Sequence, residues 1–313
     1  MKPLNKLLLL IFIAAAMYGC NIYDDTIDCV RDNTTLIFKY TDGSGNDAFL
    51  RDIQSVDAFI FDANKKLVAH KRFESGALSE FAGWRNISLS PGDYYAVCWG
   101  NVGNNSRLSE YVPGVTTFDS KFIQIPANIT TGGNQIYYAP FKTHPQAYSG
   151  AMQSAPDPQM TSYAFTVRSG RDNVKEMLFV RAHRTINVYI MGYSSALPAT
   201  VTGTQLCAEY DFYYNSRNVF RNFTQTALPA TTPEGAALLA TFHVGFSEIY
   251  DDMNFTLRRG PTGEVMETVN LKQFLAAFPA AYGSTIDILI RFGDLGVTIT
   301  VPSWVSKPIT PGR

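Results

Sequence analysis

Alternation constrains this chain more than any other feature. In one short segment after another, apolar residues recur at every second position, the period of a pleated strand with one buried face. Leu36, Phe38 and Tyr40 share a side against Ile37 and Lys39, and Val56, Ala58 and Ile60 share one against Asp57 and Phe59. Near the end, Ile286, Ile288, Ile290 and Phe292 form one stripe and Val297, Ile299 and Val301 another. Turn signals separate these runs, as in Asp62-Ala63-Asn64 and Ser90-Pro91-Gly92-Asp93. Composition agrees: 17 Tyr and 21 Phe against only 17% charged residues suit half-buried strands better than helices. Short strands at this spacing predict an all-β fold of two tandem, Ig-like antiparallel β-sandwich domains.

The strands fall into two sets. The first runs from Leu36 through Tyr94–Trp99 to Ile136-Tyr137-Tyr138. A stretch with prolines 140, 145, 156 and 158 and little periodicity follows, and is read as the end of one domain and the connection to the next. The second set comprises 174–180, 186–190, 206–214, 238–246, 253–258, 264–271 and the two closing strands. Within it, Leu271, Phe274, Leu275 and Phe278 have helical spacing, and Pro279 ends that short helix. The expected layout is a signal peptide over 1–19, an N-terminal sandwich over 20–160 and a C-terminal sandwich over 161–313.

The first residues carry an export signal. Lys2 and Lys6 precede an unbroken apolar run from Leu7 to Met17, shorter than the ~20 residues that span a bilayer. Gly19-Cys20 then resembles a lipobox, which predicts cleavage before Cys20 and a diacylglycerol on its thiol. Several buried acyl chains, at about 0.8 kcal/mol per methylene, hold a protein to a membrane without a spanning helix. Met17 and Tyr18 depart from the usual Leu-(Ala/Ser) pair, so an ordinary secretory cut elsewhere is the alternative. Cleavage removes two lysines and leaves a net charge of −3. With no basic block, nucleic acid is not an expected partner. Three cysteines then remain besides Cys20. Either Cys29 pairs with Cys98, tying the N-terminal segment to a core strand for about 4 kcal/mol in the chain-entropy model, or all three are buried thiols.

Side-chain chemistry offers little. His70, His144, His183 and His243 are far apart, without a second ligand at metal spacing, and there is no nucleophile elbow or phosphate-binding loop. Asp42, Ser44 and Asn46 fit the first positions of a calcium loop, but Asp47 and Ile53 stand where Gly and Glu belong, so that reading fails. No metal, no cofactor beyond the covalent lipid and no catalytic residue are expected. Trp84, Trp99, Trp304 and the run Tyr210, Phe212, Tyr213, Tyr214 are either core or an exposed sugar-binding surface.

Several segments together resemble one family. Cys20-Asn21-Ile22-Tyr23-Asp24-Asp25, Asp28-Cys29 and Leu36-Ile37-Phe38-Lys39-Tyr40 look like the start of fimbrial anchor subunits of the Bacteroidales type V pilus. Residues 56–62, 90–101, 181–188 and 297–304 match its later stations. The resemblance implies two transthyretin-like sandwiches and a lipoprotein on the outer face of the outer membrane, with Asp24-Asp25 as the acidic surface signal. Asp25-Thr26-Ile27 also fits a short O-glycosylation pattern of these bacteria. The implied function is anchoring a fimbrium by β-strand exchange with shaft subunits; tip or shaft roles, and from a different class a glycan-binding lipoprotein of a nutrient uptake system, are the alternatives. Val297, Ile299 and Val301 are then the candidate donor strand, or simply the last strand of the second sandwich. Arg31 and Arg51 are candidate sites for a trypsin-like protease; a Cys29–Cys98 disulfide would keep residues 20–29 attached after a cut at Arg31.

Overall fold

The computed structural model describes residues 33–42, 44–103, 105–127, 135–141, 163–245, 252–279 and 285–305. Cys20, Cys29, Arg31 and the acidic pair Asp24-Asp25 lie outside the described residues. The first unit is built from β1 (Thr34–Lys39), β2 (Ser55–Asp62), β3 (Leu67–Glu74), β4 (Gly83–Ile87), β5 (Gly92–Gly100), β6 (Arg107–Leu108), β7 (Phe122–Gln124), β8 (Tyr137–Phe141), β9 (Ala164–Val167) and β10 (Asn173–Arg181). Two short helices, α1 (Phe49–Asp52) and α2 (Ser75–Glu80), lie between its early strands. One sheet runs in the order β3-β2-β5-β8-β10-β1-β4, with β9 also paired to β5. It wraps a core that includes Leu36, Phe38, Phe49, Ala58, Cys98 and Phe179.

The second unit is a two-layer sandwich. One sheet joins β11 (Arg184–Met191), β15 (Leu228–Thr232), β16 (Gly235–Val244), β19 (Thr285–Gly293) and β20 (Gly296–Thr300), in the order β15-β16-β11-β19-β20. The other joins β12 (Ala199–Cys207), β14 (Phe220–Thr226), β17 (Asn254–Arg259) and β18 (Val265–Asn270), in the order β14-β12-β17-β18. Their facing side chains, such as Ile186, Val201, Phe223, Phe242, Phe255 and Ile288, form the core, which the helix α3 (Leu271–Ala277) closes with Leu271, Phe274 and Leu275. A short strand, β13 (Glu209–Asp211), leaves this unit and pairs with β7, itself paired to β6, so one small sheet joins the two halves.

Three expectations are corrected. The strands 164–167 and 173–181, expected in the second domain, hydrogen-bond in the first sheet, β10 lying between β8 and β1. The boundary therefore moves from 160 to beyond Arg181; the proline-rich stretch interrupts the first unit rather than ending it. The pairing is not wholly antiparallel either: β1 runs parallel to β10 and β11 parallel to β19. Parallel neighbours need a long crossover, here nearly a whole unit of chain, which local periodicity does not register. Finally, the run 206–214 is not one strand. Asp211 Oδ1 accepts the amides of Tyr213 (2.9 Å) and Asn215 (2.8 Å), and the chain turns there with Tyr214 at φ 70°.

Candidate assembly edge and the joint between the units

Of the candidate donor residues, Val297 and Ile299 lie on β20, the edge strand of the five-stranded sheet, and Val301 follows directly after it. A two-residue turn, Asp294-Leu295, leads from β19 into β20, with Gly293 opposite Gly296, Arg291 opposite Thr298 and Leu289 opposite Thr300. Residues that flank a two-residue turn exchange both hydrogen bonds, and every second pair does so thereafter. The amides and carbonyls of Val297 and Ile299 accordingly point away from β19, toward an edge that no strand among the described residues covers. Ile299 and Val301 pack against the sandwich core, whereas Val297 is 38% exposed. Beyond β20 the chain crosses to the outer face of its own sheet. Trp304 packs against Tyr189 there at 5.6 Å, beside Leu289 and Met191, and Ser303 and Arg291 both bind Glu234. Val297 and Ile299 thus belong to the last strand of the sheet, which has an open outer edge among the described residues, and Val301 lies just past it.

That edge is an addition to a shared plan. In each unit the entering strand runs parallel to a late one, β1 to β10 and β11 to β19. The first unit ends with β10, but the second goes on into β20.

The other predicted residues are scattered. Cys98 is wholly buried in the first core, and burial with the nearby Asp57 carboxylate pushes its thiol well up. Its pairing with Cys29 falls outside the described residues. Cys207 is likewise a buried thiol, 3.1 Å from the Ser216 hydroxyl. Arg51 sits exposed on α1, between β1 and β2, with Nε 2.7 Å from Asp52 and a second nitrogen 3.3 Å from Asp42. Asp42 Oδ1 also accepts the amides of Asn46 (3.1 Å) and Ser44 (3.0 Å), which lowers its pKa and closes the loop once tested as a calcium site.

A feature that sequence reasoning missed is the joint. β2 is buried along almost its whole length: Val56, Ala58 and Ile60 face the first core, while Phe59 and Phe61 face the second unit's turn. Phe212 of that turn meets Phe59 at 5.0 Å, Phe61 at 6.3 Å and Trp99 at 6.2 Å. Tyr138, wholly buried, donates to the Phe212 carbonyl at 2.8 Å, and Tyr213 donates to Asp119 at 2.6 Å beside Lys65. The one buried carboxylate on this strand, Asp57, is met by His70 Nε2 at 3.1 Å and Arg72 at 2.7 Å. Across the joint, buried His183 donates from Nδ1 to the Ile136 carbonyl at 2.9 Å and stands 5.4 Å from the His243 ring. Both histidines are depressed by burial first, and His183 is pushed down to about 3. The aromatic platform required by a glycan-binding reading is therefore largely interior. Trp99, Phe212 and Tyr214 are core, and Trp84 rests on Phe73 at 6.0 Å.

The sequence profile of the fimbrillin-A associated anchor proteins, Mfa1 and Mfa2, matches residues 23–309. The chain belongs to this family. It is a fimbrial accessory subunit, associated with other fimbrial subunits at the cell surface. The anchor-family fold recurs in solved structures. A proposed adhesin from Bacteroides ovatus shares it at TM-score 0.64 and 16% identity, over 88% of this chain and 94% of that one. A proposed polysaccharide-binding protein from Bacteroides thetaiotaomicron gives 0.62 and 14%, over 85% and 95%. The fimbrial anchor protein Mfa2 from Porphyromonas gingivalis gives 0.58 and 13%, over 86% and 95%. At these identities the likeness is one of fold. No curated protein sequence matches the anchor-family chain.

Proposed function

We propose that this chain anchors a fimbrium to the outer membrane, held by lipid on Cys20 and joined to a shaft subunit through strand pairing on the open edge of β20. The observation that carries the reading is that edge: an apolar, solvent-facing strand beyond the plan the two units share, with the backbone groups of Val297 and Ile299 unopposed among the described residues. An unpaired strand edge adds a partner's strand through main-chain hydrogen bonds, with alternate side chains supplying specificity. Val297, Ile299 and Val301 supply those side chains. They act at the rim of the existing sheet, or after β20 leaves it. The family match begins three residues after Cys20, directly downstream of the proposed lipid.

Two substitutions test the two halves of this reading. Cys20→Ala moves the protein from the membrane fraction to the soluble fraction of export-competent cells. Val297→Pro removes an outward amide while leaving the bonds to β19, since proline is tolerated at a non-bonded edge position. It is expected to abolish co-purification of shaft subunits with the membrane-bound protein. Unchanged shaft recovery from the folded variant would overturn the edge reading.

A further inference from the structure

The direction of the parallel pairs has a mechanical consequence. β1 and β10 are in uninterrupted register from Thr34 opposite Asn173 to Lys39 opposite Leu178. Among the described residues, the chain enters the first unit at the start of β1 and leaves it at the end of β10, Arg181, where Ala182 and His183 lead into β11. Those two points lie at opposite ends of one parallel pair. Traction between them slides β1 along β10, and every cross-strand hydrogen bond is loaded at once. Traction at the same end of both strands would instead open the bonds one after another.

Other contacts oppose that sliding. Phe38 of β1 stacks edge-on against Phe179 of β10 at 5.9 Å, and Lys39 pairs with Glu176 across the outer face. The opposite edge of β1 is held by β4, with the Phe38 amide donating to the Ala82 carbonyl at 2.8 Å. The second unit has a parallel pair in the same sense, but its chain turns back along β19 as β20 before leaving. β11 begins at the joint and pairs parallel with β19 from Thr185 opposite Thr285 to Met191 opposite Arg291, and β19 leads out to β20. Between the units, β7 paired with β13 and the aromatic joint bypass the single covalent connection at residues 182–183.

We propose that the pairs β1–β10 and β11–β19 are shear clamps, by which the folded chain carries traction from its N-terminal end to its last strands without unfolding. The source of that load rests on the anchor reading; the clamp itself does not. Forced unfolding is governed by the barrier along the pulling direction, so geometry alone changes the force required.

The test pulls single molecules of the full chain, unlipidated, by one handle at the N-terminus and a second at one of two places. With the second handle at the C-terminus, β1 and β10 are sheared. With it on the exposed residue 171, just before β10, the same pair is unzipped from one end. Rupture of the first unit is recognised by its released length of about 500 Å of extended chain. The expected result is a rupture force roughly double or more in the shearing geometry. Equal forces in the two geometries would overturn the clamp. Ile37→Pro gives an independent reading: since the Phe38 amide faces β4, that of Ile37 faces β10, and its loss should lower the shearing force more than the unzipping force. Neither membrane nor partner enters these measurements, so a negative result with Cys20→Ala or Val297→Pro leaves them unaffected.

Discussion

At the scale of single residues, His183 shows how burial turns a common side chain into a pH-dependent strut. It is 2% exposed at the crossing between the units, and its Nδ1 proton is committed to the Ile136 carbonyl. The nearby ionisable groups, His243 and Arg181, both oppose a positive charge on it. Its folded pKa of about 3 lies below the ordinary value of 6.5, so the folded state keeps it neutral while the unfolded state takes up a proton. Its contribution to stability is complete above pH 6.5 and is lost as the pH falls toward 3, with a limiting slope of about 1.4 kcal/mol per pH unit. Urea unfolding followed across that range should show a steep acid limb. His183→Gln should flatten it, and an unchanged slope would mean that other groups govern the acid limb. His183 stands one residue before β11, hydrogen-bonded and buried. Its partner across the joint, His243, is 60 positions away and leaves no local signal.

At the scale of elements, legibility followed the number of buried faces. Strands with one less buried face, such as β1 and β11, alternate cleanly and stood out. The helix α3 was readable from its 3.6-residue spacing and the proline that follows it. Its start is fixed by Asn270, whose side-chain oxygen accepts the Gln273 amide at 3.0 Å. Asn270→Ala is expected to cost about 1 kcal/mol, measurable as a lowered denaturation midpoint with unchanged slope. β15 went unread because Pro229 interrupts its pattern; the strand is an edge, where proline is tolerated. β10 was recognised but assigned to the wrong unit. Its apolar stripe resembles that of any core strand, and nothing local says that its neighbours are β1 and β8.

At the scale of the whole molecule, the joint makes the two units one body. Phe59, Phe61, Trp99 and Tyr138 sit on a face of the first sheet that Phe212 and Tyr214 of the second unit cover together with Tyr111 and Phe118 of the first. Each such side chain contributes roughly 1.5–3 kcal/mol by leaving water. Residues 20–181 expressed alone should therefore expose a contiguous aromatic patch. Strong binding of a hydrophobic dye or self-association on a sizing column is the expected sign. A monomeric fragment that ignores the dye would show that the face closes by itself.

The sequence by itself determined an all-β chain of two units, the positions of most strands, the short helix and the kinship with fimbrial anchor subunits. Each of these follows from the period, the turn chemistry or the local motif of a few neighbouring residues. Only the tertiary structure decided where the first unit ends, which strands run parallel, that the tryptophan and tyrosine run is interior, and that β20 is an edge. Those outcomes depend on which faces meet after the chain has crossed tens of residues, and hydrophobic burial is indifferent to direction along the chain.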